Sequence, residues 1–263
     1  MNILLFLAIL PVFLLCVYIN KKDINKEPIG LLMLIFFLGF MMALPVIFLE
    51  FILGDFFPTD NVLSFYRLFF NIFISIALVE EGAKWIVTRH VGFTNKEFDE
   101  IYDIIVYAVF SSLGFACIEN IFYVLNNGIF VAIIRAVLSV PGHMCFGVLM
   151  GYFLAKARVS LLHKNKKLYI KNMVLSILIP SFAHSLYDAL LFYNAVANEL
   201  AWLIVFLFYF VMLFIVSFKM VNYVADVQKK LSKTNFKLGK VVKWWFTTFL
   251  IINNPFVILR NIV

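Results

Sequence analysis

Runs of about 20 apolar residues recur along this chain, and a helix of that length spans the hydrocarbon core of a bilayer, about 30 Å thick. Backbone amides in that core find no water, so only helices and closed barrels satisfy them internally. The runs here are continuously apolar rather than alternating, which selects helices. Seven are counted, at residues 2–19, 30–52, 64–88, 101–125, 129–155, 171–194 and 199–218. The expected fold is therefore all-α: a polytopic membrane bundle with seven transmembrane helices and the bilayer as its solvent. Charged residues make up only 14% of the chain, too few to cover a soluble surface, and the spans leave no room for a separate soluble domain. Residues 1–222 read as one transmembrane domain and 223–263 as a basic cytoplasmic tail. The first run has no basic residue before it and Lys21-Lys22 directly after it, the reverse of a signal peptide, so it is kept as a span.

All but Arg67 and Arg135 of the 22 lysines and arginines fall on one side of such a bundle: in the turn after the first run, after the third, after the fifth, and in the tail. By the positive-inside rule that side is cytoplasmic and the N-terminus lies outside. The net charge of +7 thus sets orientation, and no nucleic-acid partner follows from it. Residues 241–252 form a weaker apolar stretch with Trp244 and Trp245, expected to lie as an amphipathic helix on the membrane surface, with an eighth span as the alternative. Cys16, Cys117 and Cys145 sit within apolar runs without metal-ligand spacing and read as small buried hydrophobes.

Ionisable residues inside the spans are costly and point to function. Glu80, Glu81 and Lys84 interrupt the third run, with Glu80 and Lys84 four apart on one helical face and Glu81 turned by about 100°. Lys84 is expected to neutralise one carboxylate and leave the other spare. Antiparallel neighbours joined by a short turn bring to equal depth residues whose numbers are symmetric about it. The turn centred on Asn127 levels Glu119 with Arg135, an expected ion pair, and the turn near Lys164 levels His143 with His184 and Tyr187 near mid-membrane. The Glu80-Glu81 pair falls within about one turn of both histidines, and Glu119 about two turns, or ~11 Å, outward of Glu81. His184 and Asp188 are four apart, so the carboxylate is expected to take the Nδ1 proton and turn Nε2 to the cavity.

These residues form motifs that resemble the PrsW family of intramembrane proteases, related to the CAAX prenyl endopeptidases and bacteriocin-processing membrane proteins. Glu80-Glu81-Gly-Ala-Lys84 resembles its EExxK motif, Phe115-Ala-Cys-Ile-Glu119-Asn-Ile-Phe-Tyr123 its FxxxExxxY, and His184-Ser-Leu-Tyr-Asp188 its HxxxD, with His143 between the last two. The resemblance covers about residues 76–190, and the catalytic core is placed at about 62–194. It implies an endopeptidase in the cell membrane acting on a membrane-anchored, single-span protein, in several bacteria an anti-sigma factor cut in regulated proteolysis. Glu80, Glu81, His143 and His184 are then the expected catalytic groups, with Glu81 as base and Glu80 as partner. Lys84, Glu119, Tyr123, Arg135 and Asp188 support them. No metal or other cofactor is expected; a zinc site of His143, His184 and a glutamate is the alternative, although no HExxH spacing supports it. A proton- or ion-coupled transporter would also carry such residues, but the chain lacks duplicated halves with paired broken spans.

Overall fold

The computed structural model describes residues 2–60, 62–197 and 199–232. The expected surface helix at 241–252 lies outside them. Every described element is helical: α1 (Asn2–Lys21), α2 (Ile29–Phe56), α3 (Phe65–Ile72), α4 (Leu78–Val87), α5 (Asp103–Val137), α6 (Ser139–Leu162), α7 (Lys166–Ala197) and α8 (Leu200–Ser232). Two π-helical turns, Phe73–Ala77 and Thr88–Gly92, flank α4 and make one nearly continuous segment of residues 65–92. Five helical segments are long and apolar enough to cross a membrane, against the seven apolar runs of the sequence. The third run is missing from the five because π turns and its own charges divide it. The fourth and fifth runs are joined in a single segment of 60 residues, Asp103–Leu162.

That long segment doubles back on itself. Gly128 sits at φ 80° and ψ −164°, a conformation closed to residues with a side chain, and the chain reverses there. Beyond the reversal, Arg135 meets Asn120, Gly147 meets Ala108 and Ser112, and Gly151 meets Ile105. The two arms therefore run antiparallel about a centre at residue 128. A second break, at Leu138 between α5 and α6, has a covalent cause: Pro141 has no N–H to bond the carbonyl one turn back. The α6–α7 turn also falls where symmetry put it, with Lys164 at φ 55°.

From Asp103 to Ile118 every residue of α5 is buried, as expected for a helix apolar on all sides, and α1, α2 and α6 surround it. Close approach is bought with glycine: Gly39 of α2 lies on the backbone of Ser111, and Gly114 of α5 on the backbone of Phe36. On the outside, Phe13, Phe37, Phe48, Phe130 and Phe208 are exposed, a surface that suits lipid rather than water. Helix α8 runs without a break from Leu200 to Ser232.

A Cβ at position 114 would drive into the Phe36 carbonyl, which is backbone and cannot rotate away. Gly114→Val should therefore lower the melting temperature or yield of detergent-purified protein sharply. Gly54→Ala, where a Cβ meets nothing within 4 Å, should be neutral or stabilising, by up to about 1 kcal/mol. Equal melting of Gly114→Val and the parent would refute the α2–α5 contact.

Candidate active site

The two π turns set the geometry of α4. Each inserts one residue into the helical ladder, so that Leu78 N–H bonds Phe73 O and Phe93 N–H bonds Thr88 O, five residues back. Such insertions turn the helix face and are common at functional sites. Between them Glu80, Glu81 and Lys84 all point inward and are buried.

Lys84 is the centre of the cluster. Its ammonium has three N–H groups and three partners: Glu80 Oε2 at 2.8 Å, Glu81 Oε1 at 2.9 Å and His143 Nδ1 at 3.2 Å. The Phe115 ring lies 4.3 Å from it. Both carboxylates are thus bound by one lysine, where the spacing suggested that only one would be; Lys84 is long enough to lie between residues three and four positions back. With the ammonium at Nδ1, the other ring nitrogen of His143, Nε2, lies 2.8 Å from Glu119 Oε2.

His184 is bonded on both ring nitrogens, Nδ1 to Glu81 Oε1 at 3.0 Å and Nε2 to Asp188 Oδ2 at 3.2 Å. Two carboxylate acceptors are satisfied together by the doubly protonated ring. The expected orientation is reversed: Asp188 holds Nε2, and Nδ1 reaches Glu81, because the ring turns toward α4 rather than toward open space. Phe146 stacks on the imidazole at 4.6 Å between centroids and holds its plane.

Glu119 lies where the pairing argument put it, 3.2 Å from Arg135, whose guanidinium also donates to Asn120 Oδ1 and covers the Tyr123 ring at 4.2 Å. The expected isolation of Glu119 from the acidic pair does not hold. His143 spans the two-turn gap, so one chain of ion pairs and hydrogen bonds runs Arg135, Glu119, His143, Lys84, Glu80 and Glu81, and from Glu81 to His184 and Asp188. All nine residues singled out in the sequence are brought together.

A cavity of about 590 Å³ opens beside this chain, within the usual range for a ligand site. Glu80, Glu119, His143, His184 and Asp188 line it, while Glu81 has no exposure and lies behind them, its Oε2 without a hydrogen-bond partner. One further carboxylate enters that sequence reasoning missed: Glu50 of α2, lining the same cavity with Oε1 unpartnered. Its signal was present, a lone acid in the apolar run at 30–52, but it belongs to no motif. From Glu80 the lining passes by Tyr123 and Asn126 toward Gly128, and by Leu191 toward the end of α7, so the cavity extends toward the end of the bundle opposite the basic turns.

Fold and site together define a multi-pass membrane protein with an acid–base centre enclosed among its helices. The PrsW family model, described as "PrsW family intramembrane metalloprotease", matches residues 27–217, and the chain belongs to this family of membrane proteases. It is 42% identical to Protease PrsW of Oceanobacillus iheyensis, over 70% of this chain and 80% of that one. Similarity to Protease PrsW of Bacillus subtilis is 35% over 74% and 84% of the two chains, and to that of Clostridioides difficile 33% over 80% and 86%. No solved structure matches the chain significantly.

The family description implies a metal, and Glu80, Glu81 and His184 do offer ligand atoms within 4.8 Å of one another. The space between those carboxylates, however, is taken by the Lys84 ammonium. A divalent ion added there would stand against a fixed positive charge, so the residues as arranged do not fit one.

Arg135 and Glu119 are only partly buried, so breaking the pair on one side should cost less than the ~3–5 kcal/mol of a fully buried pair. Glu119→Gln and Arg135→Gln should each lower the melting temperature of the purified protein. The double exchange Glu119→Arg with Arg135→Glu should recover part of the stability without restoring the His143 contact. Parent-like melting of both single variants would show that the pair holds nothing together.

Proposed function

We propose that this chain is a metal-independent intramembrane endopeptidase that cuts a single-span membrane protein within the cavity, with Glu80 as general base. The observation that carries this is the contrast between the paired glutamates: Glu80 lines the cavity, whereas Glu81 is sealed behind it. This reverses the assignment suggested by the sequence. Water beside Glu80 gives its proton to the carboxylate as its oxygen attacks the peptide carbonyl; the C–N bond then breaks, and Glu80 returns the proton to the leaving amine. Glu81, bonded to Lys84 and His184, holds both cations in place. His184, charged between Glu81 and Asp188, borders the cavity and is the group that stabilises the developing oxyanion.

Seven crossings with the N-terminus outside complete the proposal. The reversal at Gly128 supplies two antiparallel spans from the 60-residue segment, and residues 65–92 cross as a helix held by its π turns. In that orientation the cavity extends toward the outer face, which admits the outer part of a substrate span although Glu80 lies deep. A substrate of the anti-sigma factor kind is proposed from the family alone.

Co-expression with candidate single-span proteins tests the assignment. Glu80→Gln should lower cleavage by about 10²- to 10⁴-fold at unchanged protein level, the usual worth of a general base. A fully active Glu80→Gln would refute the base. Treatment with 1,10-phenanthroline should leave the purified enzyme active; loss of activity with recovery on adding zinc would refute the metal-free mechanism. His184→Ala should cost more activity than Asp188→Asn, since an amide oxygen still accepts from Nε2 but supports a cation less well. The opposite order would make Asp188 the principal group.

A further inference from the structure

At the far end of α5 from Glu119, sixteen residues and about 24 Å along the helix, a second group of carboxylates is gathered that the proteolytic reading does not use. Asp23 and Glu27 come from the α1–α2 connection, Asp99 and Glu100 from the connection leading into α5, and Asp103 from the first turn of α5 itself. Asp23, Glu27, Glu100 and Asp103 are all buried. Carboxylate oxygens of Asp23, Glu100 and Asp103 lie within 4.8 Å of one another, and so do those of Glu27, Asp99 and Asp103.

Part of this oxygen surface is already satisfied. Asp103 Oδ2 accepts the amides of Asp99 and Glu100 at 3.1 and 2.7 Å, Glu100 Oε1 accepts the Asn25 side chain, and Glu27 Oε2 accepts the Tyr107 hydroxyl. The rest is not. Asp103 Oδ1, Glu100 Oε2 and both oxygens of Asp23 are buried without a hydrogen-bond partner, and Asp23 is only 4% exposed. The amides of Ile24 and Glu27 face Asp23 without bonds of normal geometry. Of the two lysines in that connection, Lys22 donates to Asn222 Oδ1 and Lys26 to the main-chain carbonyls of Asn20 and Asp23, its charge near the Asp23 carboxylate but not hydrogen-bonded to it. Ionising these grouped, buried carboxylates is costly, since burial and their mutual repulsion both raise the pKa values of Asp23 and Glu100, and a cation held among their oxygens would offset that cost.

We propose that Asp23, Glu100 and Asp103, with Glu27 beside them, bind one hard divalent cation of the calcium or magnesium class. The donors are all oxygen, with no histidine or cysteine among them, which suits these ions and not zinc. The ion would clip the α1–α2 connection to the connection that enters α5, and so fix the end of the bundle opposite the cavity. Its role is to hold helices, since no group of the active-site chain reaches it.

Terbium, a luminescent substitute for calcium, gives a direct readout because Tyr102 and Tyr107 stand close enough to excite it. Detergent-purified full-length protein freed of metal should show sensitised terbium emission that calcium or magnesium displaces, the ion acting at lower concentration being the preferred one. Asp23→Asn and Glu100→Gln should each lose at least nine-tenths of that emission. At one hundred times its Kd the preferred ion should raise the parent's melting temperature by about 5 °C or more, and that of Asp23→Asn by less than a quarter as much. Terbium emission unchanged in both variants, or a parent whose melting responds to neither calcium nor magnesium at 10 mM, would overturn the site. If the variants fail to fold, terbium emission and its displacement in the parent still decide.

Discussion

A lysine ammonium with no exposure to water, inside a membrane, must have every N–H matched by an acceptor, and most of this protein's interior can be traced to how Lys84 meets that demand. Two acceptors come from its own helix and the third from α6. The third brings His143 against Glu119, which in turn pairs with Arg135. The first two hold Glu81 where His184 can reach it, and His184 then needs Asp188. Four helical segments are thereby locked in register by hydrogen bonds that have no competitor in lipid. The π turns on either side of α4 belong to the same arrangement, because they flank the turn and a half that carries Glu80, Glu81 and Lys84 into one interior.

Two lines of evidence meet at this cluster without depending on each other. Relatives named Protease PrsW align over most of the chain, and the family model spans all the residues concerned. The geometry separately produces a cavity lined by four carboxylates, two histidines and Arg135. On the metal the two diverge. The description attached to the family names a metalloprotease, whereas here the cationic position between the glutamates belongs to an amino-acid side chain.

Much of this was legible in the chain, for a definite reason. Short turns at residue 128 and near Lys164 make depth a matter of counting, so Glu119 with Arg135 and His143 with His184 could be levelled from residue numbers alone. Counting gives depth but not azimuth or reach. It therefore separated Glu119 from the glutamate pair, since it follows backbone positions, whereas His143 bridges the interval with its side chain. The i, i+4 spacing of His184 and Asp188 likewise faced the ring the wrong way, because ring rotation depends on what lies across the interface. The π turns leave no mark in composition, and Glu50 lay outside any motif. The break at Leu138 was readable in principle from Pro141, and the exact division of the third run was not.

The reversal at Gly128 has a consequence for how the protein reaches its membrane. Glu119 and Arg135 are sixteen residues apart on the two arms of one hairpin, so their pairing needs no other part of the chain. A nascent segment that folds at the glycine can neutralise both charges as soon as its second arm emerges, and enter lipid as a unit with no net charge from this pair. Glu80, Glu81 and Lys84 likewise compensate one another locally, leaving a single excess negative charge. His184 and Asp188, carried on the later α7, come afterwards to an interior already largely balanced. The order of the charges along the chain is thus also an order of assembly in which no span has to wait, fully charged, for a distant partner to be synthesised.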